Sequence, residues 1–181
     1  ITCLILALNK EFKINNILLN VEGHGREQID DNLDITRTIG WFTSMYPMIF
    51  EVKNHLDIID HLIMVKEQLH RVPNKGIGYG ILRHVTGKNY KLQPEISFNF
   101  LGNFGNGVET NDKEKIFEFI GDDKGFDVSR NMERAFPLEI TGIIVNGELR
   151  FTIEYSNNVF LQSTINKFGE TFKKFLIGIV D

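Results

Sequence analysis

The stretch Ile14-Asn15-Asn16-Ile17-Leu18-Leu19-Asn20-Val21-Glu22-Gly23-His24-Gly25-Arg26 decides how this chain is read. Ile17, Leu18, Leu19 and Val21 form a nearly continuous apolar run, which predicts a strand over 15–22 covered on both faces. Gly23 and Gly25 end it. Glu22, His24 and Arg26 alternate with those glycines, so in an extended backbone all three side chains share one side. Gly23 and Gly25 face the other way and allow close backbone approach. An acid, an imidazole and a guanidinium then stand at the end of a buried strand, where open sheets often bind ligands. Two readings stay open. Glu22 moves a proton, its affinity for it raised by low dielectric and lowered by a nearby Arg26. Alternatively the segment is a glycine-rich turn with a solvated ion pair, because shifted acids also occur in structural networks.

Outward from this strand, residues 1–10 read as the end of a buried helix whose beginning is cut off, closed by Asn9-Lys10. Downstream, Asp30, Asp31, Asn32 and Asp34 mark a polar loop. A second strand-like stretch runs over 40–52, interrupted by Pro47. Helical spacing covers 55–70, with Leu56, Ile59 and Ile63 on one row, Asp57 in the first turn and Pro73 as the stop. A loop over 74–80 leads into a short helix at 78–85, and Ile96 to Leu101 is another strand. Residues 103–135 read as a long surface excursion. Then 138–145 and 149–155 flank Asn146-Gly147, the dipeptide suited to a tight type I′ hairpin. A helix over 160–178 carries Phe160, Ile165, Phe168, Phe172 and Phe175/Leu176 on one stripe. Helices alternating with strands, followed by an antiparallel hairpin, predict an α/β fold: a mixed sheet with helices packed on one face.

The 181 residues suit one domain, and 42% hydrophobic with 24% charged residues can fill a core. A formal net charge of −4 argues against nucleic acid as a partner. Fifteen Phe against one Trp and four Tyr favour packing over polar contacts. The single Cys3 allows no internal disulfide and no thiolate cluster, which fits a cytoplasmic setting. No apolar run is long enough to span a bilayer, so no membrane partner is expected. The apolar start lacks the basic lead-in and cleavage site of a signal peptide.

Several chemistries fail on spacing. Asn74-Lys75-Gly76-Ile77-Gly78-Tyr79-Gly80 lacks the Lys-Ser/Thr of a phosphate loop and follows a helix instead of a strand. His55, His61, His70 and His84 form no metal-ligand pattern, so no metal site is expected. No Gly-x-Ser-x-Gly elbow presents a serine nucleophile. The segment Arg37-Thr38-Ile39-Gly40-Trp41-Phe42-Thr43-Ser44-Met45-Tyr46-Pro47 reads either as a loop lining a tunnel or as an ordinary strand with amphipathic aromatics.

Four stretches in order resemble the C-terminal lobe of epimerization domains of nonribosomal peptide synthetases: Val21-Glu22-Gly23-His24-Gly25-Arg26-Glu27, the Arg37-to-Pro47 segment, Val72-Pro73-Asn74-Lys75-Gly76-Ile77-Gly78-Tyr79-Gly80, and Ser97-Phe98-Asn99-Phe100-Leu101-Gly102. The resemblance places residues 1–181 in the condensation-domain superfamily, as one chloramphenicol-acetyltransferase-like lobe of an α/β sandwich. The superfamily's H-H-x-x-x-D-G motif belongs to the other lobe, and no adjacent histidines occur here. The implied reaction inverts the α-carbon of an aminoacyl or peptidyl thioester, with Glu22 as one acid/base group and a histidine of the N-terminal lobe as the other. The implied partners are that lobe and an upstream peptidyl carrier protein, which presents the phosphopantetheine arm, so this chain binds no cofactor of its own. His24, Arg26, Trp41, Thr43, Ser44, Tyr46, Asn74, Tyr79 and Asn99 are the implied lining of the substrate tunnel. Phe100 departs from the tyrosine usual in the family, and Tyr79 is a candidate to supply that phenol. Two alternatives are an amide-forming condensation lobe and a non-catalytic half-domain that docks carrier proteins.

Overall fold

Burial alternates along the first half of β1 (Asn16–Gly23), and the molecule is built around that alternation. Ile17, Leu19 and Val21 are buried on one side of the strand, against a helix layer. Asn20 and Glu22 face the opposite side. A computed structural model describes residues 1–28, 30–88, 90–104, 129 and 132–180. Among them, β1, β2 (Ser44–Glu51), β3 (Ile96–Phe104), β4 (Leu138–Val145) and β5 (Glu148–Tyr155) form one sheet in the order β2-β1-β3-β4-β5. β1, β3 and β4 run parallel, and β2 and β5 are antiparallel edges. The mixed sheet expected from the sequence is therefore present.

The helix layer explains the apolar stripes. Helix α1 (Thr2–Phe12) buries Leu4, Ile5, Ala7 and Leu8 and stops at Lys13, whose left-handed backbone returns its N–H to the Asn9 carbonyl. Helix α4 (Gln162–Val180) buries Ile165, Phe168 and Phe172, while Phe160, Phe175 and Leu176 pack at the margin of the same cluster. Phe168 is fully buried, with its ring centroid 6.0 Å from Phe12 and 6.2 Å from Phe172. Phe172 meets Phe151 of β5 edge-on at 4.9 Å, which ties the helix layer to the sheet.

Helix α2 (Ile58–His70) begins three residues later than the expected 55–70. Asp57 is its N-cap, and the side chain accepts the Asp60 N–H at 2.8 Å. His61 is 2% exposed, accepts the Lys53 N–H on Nε2 at 3.1 Å and donates from Nδ1 to the Asp57 carbonyl at 2.6 Å. The helix start is thus fastened to the end of β2 by the His61 ring. A 3-10 turn (Pro73–Gly76) leads into α3 (Ile77–His84), which packs beside β2. Pro47 does not interrupt β2 as expected; it pairs with Asn20 inside a continuous edge strand, where a missing N–H is tolerated. The hairpin turn has positive φ at both Asn146 and Gly147, as a type I′ turn requires. Most of the surface excursion expected over 103–135 lies outside the described residues. No described helix is long and apolar enough to cross a membrane.

Phe168→Ala removes the ring shared by α1 and α4. It is expected to cost about 3–5 kcal/mol in urea denaturation, the range for a buried aromatic truncated to a cavity.

Candidate active site

Strand register builds the site on the open face of the sheet. Pro47, Asn20, Ser97, Glu139 and Glu154 are successive partners across all five strands, so one row of side chains crosses the sheet. Asn20 and Ser97 are 6% and 4% exposed, and Asn20 Nδ2 donates to Ser97 Oγ at 3.1 Å. Arg134 joins the far end of the row, paired with Glu139 and 3.6 Å from Glu154. One step toward the strand ends lies Glu22 on β1, opposite Met45, while Asn99 lies opposite Thr141 on β4. The β1–β3 pairing stops at Val21–Phe98, although both strands continue. Glu22 therefore borders the point where two parallel strands part at their carboxyl ends.

Glu22 is half-buried, and that burial pushes its carboxyl above the usual carboxylate range. The Glu139 carboxylate adds to the rise, and a hydrogen bond from the Ser97 hydroxyl opposes it. The group holds a proton more tightly than a solvated acid does and can still reach water, as general acid–base chemistry requires.

His24 and Arg26 do not share this face, which corrects the extended reading of the strand end. The strand ends at Gly23, and Gly25 turns the chain with φ +63. Arg26 then donates to the carbonyls of Ile35 and Thr38, both at 2.9 Å, and its guanidinium lies 4.2 Å from the centre of the Phe42 ring. His24 is exposed; its Nδ1 accepts the Arg26 N–H and its Nε2 is 3.2 Å from Glu27. Both residues fold the 26–42 loop. A Cβ on Gly25 would lie 1.5 Å from the Phe42 carbonyl oxygen, so only glycine allows this crossing.

A cavity of about 510 Å³ opens beside β2 on the Asn20 side of the sheet. Thr43, Ser44 and Tyr79 line it, and α3 adds Arg83 and His84. Ser44 Oγ is buried with no hydrogen-bond partner among the described residues. The Tyr79 ring lies tilted against Tyr90, their centroids 5.2 Å apart. Trp41 is 91% exposed and does not line the cavity. Tyr46 pairs with Val21 and lies under Gly76, where a Cβ would meet its ring at 2.0 Å; burial raises its phenol's proton affinity. Asn74 is exposed, with a left-handed backbone at φ 47. Phe100 alternates onto the helix side of β3, against Gly142, whereas Tyr79 lies on the open side. Tyr79 thus does not occupy the place a tyrosine at Phe100 would have. Among the described residues no group of three or more His, Cys, Asp or Glu side chains could hold a metal ion.

The family model described as Condensation domain matches residues 1–181. This chain belongs to the condensation-domain family. It is 39% identical to Tyrocidine synthase 2 of Brevibacillus parabrevis over its full length, and 36% identical to Gramicidin S synthase 1 of Brevibacillus brevis. It spans only 5% and 17% of those two synthetases. Among solved structures, it superimposes with a TM-score of 0.88 on the epimerization domain from the third module of tyrocidine synthetase B, at 39% identity. The overlap covers 99% of this chain and 40% of that one. A condensation domain of the enacyloxin polyketide synthase, 11% identical with a TM-score of 0.66 over 97% of this chain and 34% of that one, shares the fold. The chain is therefore a condensation-superfamily segment of the peptide-synthetase kind, with an epimerization domain as a near structural relative.

Two outcomes follow from this geometry. Glu22 binds its proton more tightly folded than unfolded, so its contribution to stability falls as pH rises from the unfolded carboxylate range through the raised folded value. Glu22→Gln is expected to raise the melting temperature at pH 8 and to leave it unchanged at pH 4, by scanning calorimetry. Gly25→Ala is expected to release the Arg26–Phe42 stack, seen as faster proteolytic nicking within 26–42 while helix content by circular dichroism is retained.

Proposed function

We propose that this chain is the C-terminal lobe of an epimerization domain that inverts the α-carbon of a carrier-bound aminoacyl or peptidyl thioester, L to D, in a cytoplasmic synthetase. One observation carries the reading. A half-buried carboxyl with raised proton affinity, Glu22, stands where β1 and β3 part, in a chain 39% identical to an epimerization domain along nearly its whole length.

In this reading one acid–base group removes the α-proton, and the C–H electron pair moves into the thioester carbonyl. A second group then returns a proton to the opposite face of the enolate. Glu22 is one of the pair, and a histidine in the H-H-x-x-x-D-G motif of a partner lobe is the other. Asn99 and Thr141, on the same face, are polar groups available to the substrate. The pantetheine arm is cargo of a carrier protein. The cavity beside β2 suits it: Thr43 is a polar group for its amides, and Arg83 offers positive charge for its phosphate.

The test places Glu22→Gln in the two-lobed domain with its adjoining carrier loaded with an L-aminoacyl thioester. Chiral chromatography of the released amino acid is expected to show D-form appearance reduced by at least about 100-fold, the usual scale of a general acid–base contribution. An unchanged rate would remove Glu22 from the mechanism. Peptide-bond formation without inversion by the parent domain would favour the amide-forming reading. Carrier binding with neither reaction would favour a docking half-domain.

A further inference from the structure

The row of side chains beneath Glu22 has a direction. Asn20 donates a hydrogen to Ser97 Oγ at 3.1 Å in a nearly solvent-free position, which leaves the hydroxyl as a donor elsewhere. A serine hydroxyl has a single proton to give. Two carboxylates compete for it. Glu139 is Ser97's direct partner on β4, and Glu22 lies two residues beyond Asn20 on the same face of β1. Glu139 is already held by Arg134, which also reaches Glu154. Arg83 is the charged group and His84 the other titratable one on the cavity side.

We propose that Asn20 and Ser97 are positioning residues for Glu22: Asn20 fixes the Ser97 oxygen, Arg134 occupies the competing Glu139, and the Ser97 proton is left to the Glu22 carboxylate. The device counteracts the burial of Glu22. A hydrogen bond to the ionised form favours ionisation. Without it, a half-buried acid beside a second carboxylate is ionised less readily and is a poorer acceptor of a proton from substrate. Neither residue touches substrate in this account; both act through Glu22. The inference rests on reading Glu22 as the acid–base group, and its test is independent of turnover.

The experiment is a carbon-13 NMR titration of the glutamate side-chain carboxyls in the 181-residue chain, with the Glu22 resonance assigned by Glu22→Gln. Ser97→Ala is expected to move the Glu22 midpoint up by roughly one pH unit, the size of one hydrogen bond to a charged group. Ser97→Thr keeps the hydroxyl and is expected to restore the parent midpoint. Asn20→Asp turns the donor into an acceptor that competes for the same proton, so it too raises the midpoint. In the Ser97→Ala background that shift is expected to shrink, because only the through-space charge remains. A Glu22 midpoint unmoved by Ser97→Ala, or raised equally by Ser97→Thr, would overturn the proposal. In the two-lobed domain, the acid limb of the rate profile is expected to follow the same shifts. If the midpoint moves while Glu22→Gln leaves inversion intact, the positioning stands and the catalytic reading of Glu22 fails.

Discussion

Leu19 and Val21 are held between β2 and β3 on the helix side of the sheet, and the placement of Glu22 depends on that clamp. Strand side chains alternate strictly, so the apolar side of β1 dictates where its polar side falls. A slip of one residue would drive Asn20 and Glu22 into the aromatic layer formed by Phe50, Phe98 and Phe168. The cost of burying an unpaired carboxylate there makes the observed register the only tolerable one. The core is thus also what aims the candidate catalytic group.

Much of this was legible in the sequence because periodicity reports which side is buried. The α4 stripe of Ile165, Phe168 and Phe172 and the Asn146-Gly147 turn appear where local pattern puts them. Sheet order was not legible. β1 pairs with β3 across the whole of α2 and α3, and no local signal encodes a parallel neighbour so distant. The row from Asn20 to Glu154 was missed for that reason: its members come from different strands and carry ordinary side chains. Only the position of Asn20, two residues before Glu22, hinted at it.

The strand end departs from simple alternation. Alternation was extended through His24 and Arg26, but Gly25 adopts a backbone that ends alternation. The guanidinium that sequence spacing put beside Glu22 instead closes a loop on Phe42 and two carbonyls. This matters for the chemistry: among the described residues, no cation acts on the Glu22 carboxyl. Its ionisation is left to burial, to Glu139 and to a serine hydroxyl.

The bond between Asn20 and Ser97 joins positions 77 residues apart. Contacts of that span are closed late, because the chain loses loop entropy before any pairing returns it. The β1–β2 pairing and α2 close over shorter segments than the β1–β3 pairing does. Ser97 and Glu139 reach Glu22 only through the β1–β3 and β3–β4 pairings. The site acquires its proton affinity only when the centre of the sheet closes, which couples the chemistry of one glutamate to the completion of the fold.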